Sequence, residues 1–191
     1  MSQRINVLLA SLAAFACMAG QASADEGLIS ELRFMALDHD TGLVGSSKED
    51  GVDLGAEVLF QPVDALSFIG SPRPVVGVLL NTAGQTNQLY AGFIAQHDFA
   101  ADVFRPGDGF FIEGAVSIAL HDGENDVTGT PENADWKSHG SDLLFRTGFG
   151  AGYRFNERWS LSAGFHHISN ANFAKPNQGA NDIGLRLGMR F

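Results

Sequence analysis

Asp182-Ile183-Gly184-Leu185-Arg186-Leu187-Gly188-Met189-Arg190-Phe191 alternates strictly: Ile183, Leu185, Leu187, Met189 and Phe191 fall on one side, and Gly184, Arg186, Gly188 and Arg190 on the other. A period of two is the signature of a β-strand. A soluble sandwich also alternates, but it buries its apolar face and shows polar side chains to water. Here the polar face is only Gly and Arg. That pairing suits a narrow barrel lumen, where small residues leave room for a few buried charges, with the apolar face turned to lipid.

Working outward, the stretch 142–155 repeats the pattern. Leu143, Phe145, Phe149, Ala151, Tyr153 and Phe155 oppose Arg146, Gly148, Gly150, Gly152 and Arg154. A lumen Arg needs a carboxylate partner, and Glu57 and Glu113 lie mid-segment as candidates. In all, eight segments bounded by turn residues emerge, at 29–38, 52–62, 74–82, 88–99, 109–121, 142–155, 158–169 and 182–191. The third, with Val75-Val76-Gly77-Val78-Leu79-Leu80, alternates poorly, as a bulge or greater burial would cause. Helical candidates are nearly absent because Gly interrupts almost every apolar run. Phe155 and Trp159 flank the tight turn Asn156-Glu157, as an aromatic girdle at a membrane interface requires. The expected fold is all-β, an eight-stranded antiparallel up-and-down outer-membrane β-barrel. Both termini would be periplasmic, and the long loops after segments one, five and seven extracellular.

The N-terminus fits export. Arg4 precedes the apolar run Val7 to Met18, and Ala22-Ser23-Ala24 is a small-x-small cleavage site. Residues 1–24 therefore read as a signal peptide, and 25–191 as one barrel domain. Phe15 and Ala16 make a poor lipobox for Cys17, the single cysteine, so the mature chain has no thiol chemistry or disulfide. Only 18% of residues are charged, and the net charge is −10. That sign excludes nucleic-acid partners, which are held by Lys and Arg.

Segment seven carries the candidate chemistry. Trp159, Leu161, Ala163, Phe165, His167 and Ser169 share a face that is otherwise apolar, so His167 and Ser169 point toward lipid near the strand's outer end. Polar groups in lipid cost free energy unless paired. Residues two apart on one face are separated by roughly 6.6–6.8 Å of rise, a gap an imidazole can swing across. That is a base beside a hydroxyl, awaiting a third group to hold the imidazole. Counting back by twos from Phe191 puts Asn181 on the outward face. Asp182 falls inward and would need a bulge to serve. Asn170, next after the serine, has a side-chain N–H to offer an oxyanion.

His167-Ile168-Ser169-Asn170-Ala171, then Pro176-Asn177-Gln178-Gly179, then the Leu185-Arg186 strand, resembles the PagL family of lipid A 3-O-deacylases. The resemblance covers about the last 27 residues in motif and the rest in strand count. It implies an outer-membrane barrel with a lipid-facing His–Ser–Glu triad that hydrolyses the acyl ester at position 3 of lipid A, without metal or cofactor. Carried over, His167 is the base, Ser169 the nucleophile and Asn170 part of the oxyanion hole. The family's acid falls on Asn181, beside Asp182. The Gly that the motif has two residues after Asn170 is Asn172. The implied partner is lipid A of lipopolysaccharide in the outer leaflet, and a homodimer is left open. Two sub-readings follow: a working site completed by Asn181 or Asp182, or an inactive scaffold.

Blander readings stand beside these. His167 and Ser169 could be a polar cap where the strand leaves the membrane, in a barrel with a structural or adhesive role. His166 reads as a lumen residue. His39, between Asp38 and Asp40, and His121 read as solvated loop residues, with cation binding the lesser reading. A soluble periplasmic sandwich fails to explain a His and a Ser on an apolar face.

Overall fold

Each alternating stretch forms a strand in the computed structural model, which describes residues 27–129 and 131–191. The strands are β1 (Ile29–Asp38), β2 (Val52–Phe60), β3 (Arg73–Asn81), β4 (Gln88–Ala101), β5 (Gly109–His121), β6 (Leu143–Arg154), β7 (Trp159–Ser169) and β8 (Ala180–Arg190). All neighbours are antiparallel, and β8 pairs back onto β1 to close an eight-stranded barrel. The expected signal peptide, residues 1–24, lies outside the described residues.

Side-chain parity runs as the sequence dictates. Phe149, 66% exposed, Phe145, Ile183, Leu185 and Leu187 form an outward apolar belt, while Arg146, Arg186 and His166 are buried inside. Arg33 is ion-paired to Glu31 at 2.7 Å and Glu113 at 3.0 Å, with Glu57 at 3.9 Å. Arg186 pairs with Glu113 at 2.5 Å. The lumen glycines make this possible: a Cβ at Gly150 or Gly164 would stand 2.3 or 2.6 Å from the Arg186 guanidinium. Arg146 has no carboxylate within salt-bridge reach among the described residues. It lies 4.2 Å from the Tyr90 ring centroid and donates to His166 Nδ1 at 2.9 Å. His166 is thus a lumen residue, as its parity predicts.

The lumen is not charged throughout. Leu59, Val75 and Ile94 cluster inside toward one end, and Met35, Leu37, Leu79, Tyr90 and Ala119 toward the other. This explains the weak alternation of β3: Val75 and Leu79 face apolar lumen while Val76 and Leu80 lie on the opposite face. Its pairing with β2 and β4 shows no register shift, so greater burial, not a bulge, is the cause.

The two rims differ. At one, the Asn156 turn is short and residues 64–69 form a 3-10 helix closed by left-handed Gly70. The Asp108 carboxylate there accepts the N–H groups of Val103 at 2.7 Å and Arg105 at 3.0 Å, so the longer connections are compactly folded. At the other rim the loops 39–51, 122–142 and 170–179 interlock. Gln178 N–H donates to the Ser138 carbonyl, and Ser138 N–H to Gln178 Oε1, both at 3.0 Å.

Candidate functional site

The site forms where β7 ends and β8 begins. β8 starts at Ala180, two residues earlier than its alternation suggests, so Asn181 and Asp182 are both within the strand. Asn181 is the cross-strand partner of His167. Directly opposed side chains on one face of an antiparallel pair sit within bonding range. His167 Nδ1 lies 2.8 Å from Asn181 Oδ1. Asn181 is fully covered, because the 39–51 loop folds over it and the Val44 carbonyl accepts from its Nδ2.

That carbonyl fixes the chemistry of the pair. A carbonyl oxygen can only accept, so the amide must present its NH2 to Val44 and its oxygen to His167. The imidazole then carries its proton on Nδ1 and leaves the Nε2 lone pair free. An amide that presented NH2 to the ring would trap the opposite tautomer and remove the base.

His167 and Ser169 line one cleft of about 390 Å³, together with Val44, Ser46, Lys137, Asn172 and Gly179. No hydrogen bond joins the serine to the imidazole in this state. Catalytic hydrogen bonds are often long without substrate. Gly179 forms the wall behind the ring: a Cβ there would stand 2.7 Å from His167 Cε1 and 3.3 Å from Nε2. The Gly179 carbonyl accepts from Lys137 Nζ at 3.1 Å. The same amine binds the Ser46 carbonyl and lies 3.2 Å from the Asp40 carboxylate. Lys137, only 2% exposed, therefore clamps three loops around the cleft. A loop lysine has no periodicity to mark it, so its role is not legible before the loops are folded.

Two expectations need correction. Asp182 does not reach His167. It points into the lumen, 3.4 Å from His39 Nδ1, with Gln88 Nε2 at 3.4 Å. β8 has no bulge that would turn it outward. Asn170 does not offer its side chain to the cleft either. Its Nδ2 donates to the carbonyls of His139 at 2.8 Å and Pro176 at 2.9 Å, and its own N–H to Asn177 Oδ1 at 3.0 Å. It anchors the turn after Ser169 instead. In that turn Ala171 and Asn172 both have positive φ, +51° and +65°. Asparagine tolerates this left-handed conformation, which accounts for Asn172 standing where glycine is usual. Among the described residues no acceptor takes the N–H groups of Ala171 and Asn172, so these are the donors available beside Ser169.

Of the rim histidines, His39 and His139 are buried and His121 is half-buried. His39 is buried between Asp53 and Glu49, each 2.9 Å away. His121 donates from Nε2 to the Ser141 carbonyl, 2.7 Å off, and stands edge-on to His139 at 4.6 Å. Burial, with the His121 ring beside it, pushes His139 down to about 4, so it is neutral at pH 7.

Comparison with known proteins bears on the fold and the family. Curated protein sequences give no match. The solved structure titled "Crystal structure of the outer membrane enzyme PagL" has the same fold, with a TM-score of 0.62 and 19% identity over 85% of this chain and 100% of that chain. The family described as "Lipid A 3-O-deacylase (PagL)" matches residues 75–190, more than half of the sequence, a span that includes β7 and β8 with His167, Ser169 and Asn181. The chain therefore belongs to the lipid A 3-O-deacylase (PagL) family, on an eight-stranded outer-membrane barrel.

Proposed function

We propose that this chain, exported with residues 1–24 removed, is a serine esterase that hydrolyses the ester-linked acyl chain at position 3 of lipid A in the outer leaflet. Ser169 Oγ attacks the ester carbonyl while His167 Nε2 takes its proton. The peptide N–H groups of Ala171 and Asn172 receive the developing oxyanion. Collapse breaks the bond to the sugar oxygen, which leaves with the proton held on Nε2. Water, deprotonated by the same nitrogen, then releases the fatty acid and restores the serine.

The observation that carries this reading is the His167–Asn181–Val44 chain of hydrogen bonds. It gives the imidazole the tautomer a general base needs without any carboxylate. The outward apolar face supports a lipid substrate: Phe173, 84% exposed, packs against Phe145 at 5.9 Å between ring centroids, beside the Ser169 end of β7. Both rings would lie along an acyl chain in the leaflet.

The test is mass spectrometry of lipid A from cells expressing the wild type or Ser169→Ala. Loss of one 3-hydroxyacyl group in the first and not the second supports the esterase. An unchanged acyl pattern in both favours the second reading, a barrel without activity, which the Asn at the acid's position and the absence of a serine–histidine bond would then explain.

A further inference from the structure

On the lumen side of β8, back to back with Asn181, lies a cluster that the proposed reaction does not use. His39 Nδ1 is 2.9 Å from Asp53 Oδ2 and 3.4 Å from Asp182 Oδ1, and one donor atom from each residue lies within 4.8 Å of the others. All three side chains are buried. A metal bound by nitrogen or oxygen at about 2.1 Å holds neighbouring ligand atoms about 3.0 Å apart in octahedral geometry and about 3.4 Å apart in tetrahedral. The two separations from Nδ1 bracket that range.

Three further observations point to a cation. Asp182 is 1% exposed, yet each of its contacts is long: Asp40 N–H, Gln88 Nε2 and His39 Nδ1 all stand at 3.4 Å. A buried carboxylate with no close donor is costly and calls for a counter-charge. Gln88, wholly buried with its carboxamide against Asp182, has an Oε1 that accepts no hydrogen bond. Finally, His39 Nε2 is held by Glu49 at 2.9 Å. A carboxylate on the far nitrogen of a ligating imidazole is the usual outer-shell support of a metal site.

We propose that His39, Asp53 and Asp182 bind one divalent transition-metal ion, with Gln88 Oε1 as a fourth donor and Glu49 orienting the imidazole. One nitrogen with hard oxygens suits Zn2+ or Mn2+ better than Ca2+ or Mg2+, which prefer oxygen alone. The ion would join the 39–51 loop to β2, β4 and β8 beneath the rim and enter as the barrel folds. It takes no part in ester hydrolysis, and the proposal stands apart from that reading.

The experiment uses the untagged chain refolded in detergent from EDTA-treated material, with Zn2+ as the probe. Expected are close to one tightly held ion per barrel and a raised thermal midpoint. Asp182→Asn, with folding verified by heat-modifiable gel mobility, should weaken Zn2+ at least ten-fold and abolish the midpoint shift. Zinc-edge X-ray absorption of the wild type, which needs no variant, should show a single imidazole among oxygen ligands. Failure to retain a stoichiometric ion, two or more imidazoles at the zinc, or unchanged affinity in Asp182→Asn would each overturn the proposal.

Discussion

Asn181→Asp separates what the amide does for rate from what it does for stability. The substitution is isosteric and places a carboxylate where Oδ1 now lies, 2.8 Å from His167 Nδ1. With charge centres about 4 Å apart and an effective dielectric near 20, attraction to the imidazolium formed in the transition state is about 4 kcal/mol. The cleft opens to headgroup water, so about half of that, ~2 kcal/mol, is the better figure, or roughly 30-fold in rate. The other carboxylate oxygen faces the Val44 carbonyl, which loses the donor it has from Asn181 Nδ2. That costs about 1–3 kcal/mol. The cost is present in free enzyme and transition state alike, so it lowers loop stability and leaves kcat/KM untouched. Release of labelled acyl chain from lipopolysaccharide in mixed micelles should therefore run about 10–100-fold faster per folded enzyme, while the 39–51 loop becomes more susceptible to protease. Asn181→Leu, which removes the acceptor, should be about ten-fold slower than wild type. If Asn181→Asp is no faster than wild type while Ser169→Ala is inactive, residue 181 does not face the imidazole during turnover and the reasoning fails.

Other perturbations reach the cleft from different sides. Lys137→Met keeps the aliphatic stem but frees the Ser46 and Gly179 carbonyls; kcat should fall about 10–100-fold with little change in KM, and Lys137→Arg should restore part of it. Gly179→Ala puts a methyl 2.6 Å from the Ile168 carbonyl and 2.7 Å from His167 Cε1, so the backbone at the end of β7 must shift and the ring with it; activity should drop at least ten-fold while the barrel's heat-modifiable mobility stays unchanged. His139, depressed to about 4 against roughly 6.5 when unfolded, takes up its proton only when the rim opens. Its contribution is full above pH 6.5 and is lost as pH falls toward 4, about 3 kcal/mol in all, so hydrogen exchange in 122–142 should quicken over that window and lose most of this dependence in His139→Gln. Glu113→Gln leaves Arg33 and Arg186 without a shared carboxylate and should destabilise the barrel by about 3–5 kcal/mol in urea titrations from lipid vesicles.

The barrel was legible because lipid on one side and a crowded lumen on the other impose opposite demands on alternate residues. Gly150 and Gly164 beside Arg186 are the clearest imprint of that. Parity also located His167, Ser169 and Asn181, since a one-residue error in register would have moved all three together. Parity said nothing of Val44, Lys137 or Gly179, whose roles depend on loops returning to the strand ends. The same blindness made His39 read as solvated. Its surroundings, Glu49 and Asp53, come from the far side of a loop whose closure no local pattern announces. Asn170 follows the same logic: proximity to the serine in sequence suggests a donor to the cleft, but the interlocked 122–142 loop supplies the His139 carbonyl that takes it.

An amide at position 181 is consistent with how this barrel manages charge. The residue is completely covered, and its second contact is a carbonyl, which repels a carboxylate and attracts an NH2. A carboxylate facing the same way would need the 39–51 loop to withdraw or to present an N–H instead of the Val44 oxygen. Residue 182, one position on, is already a carboxylate, but it belongs to the lumen with His39 and Gln88. The strand thus carries its negative charge inward, where cations can reach it, and a neutral orienter outward. Such a site trades imidazolium stabilisation for a fixed tautomer. It follows that pairing Asn181→Asp with a loop change that turns a donor toward residue 181 should recover the lost stability while keeping the faster rate. A variant that recovered stability and lost the rate would place the carboxylate's benefit in loop mobility and not in the transition state.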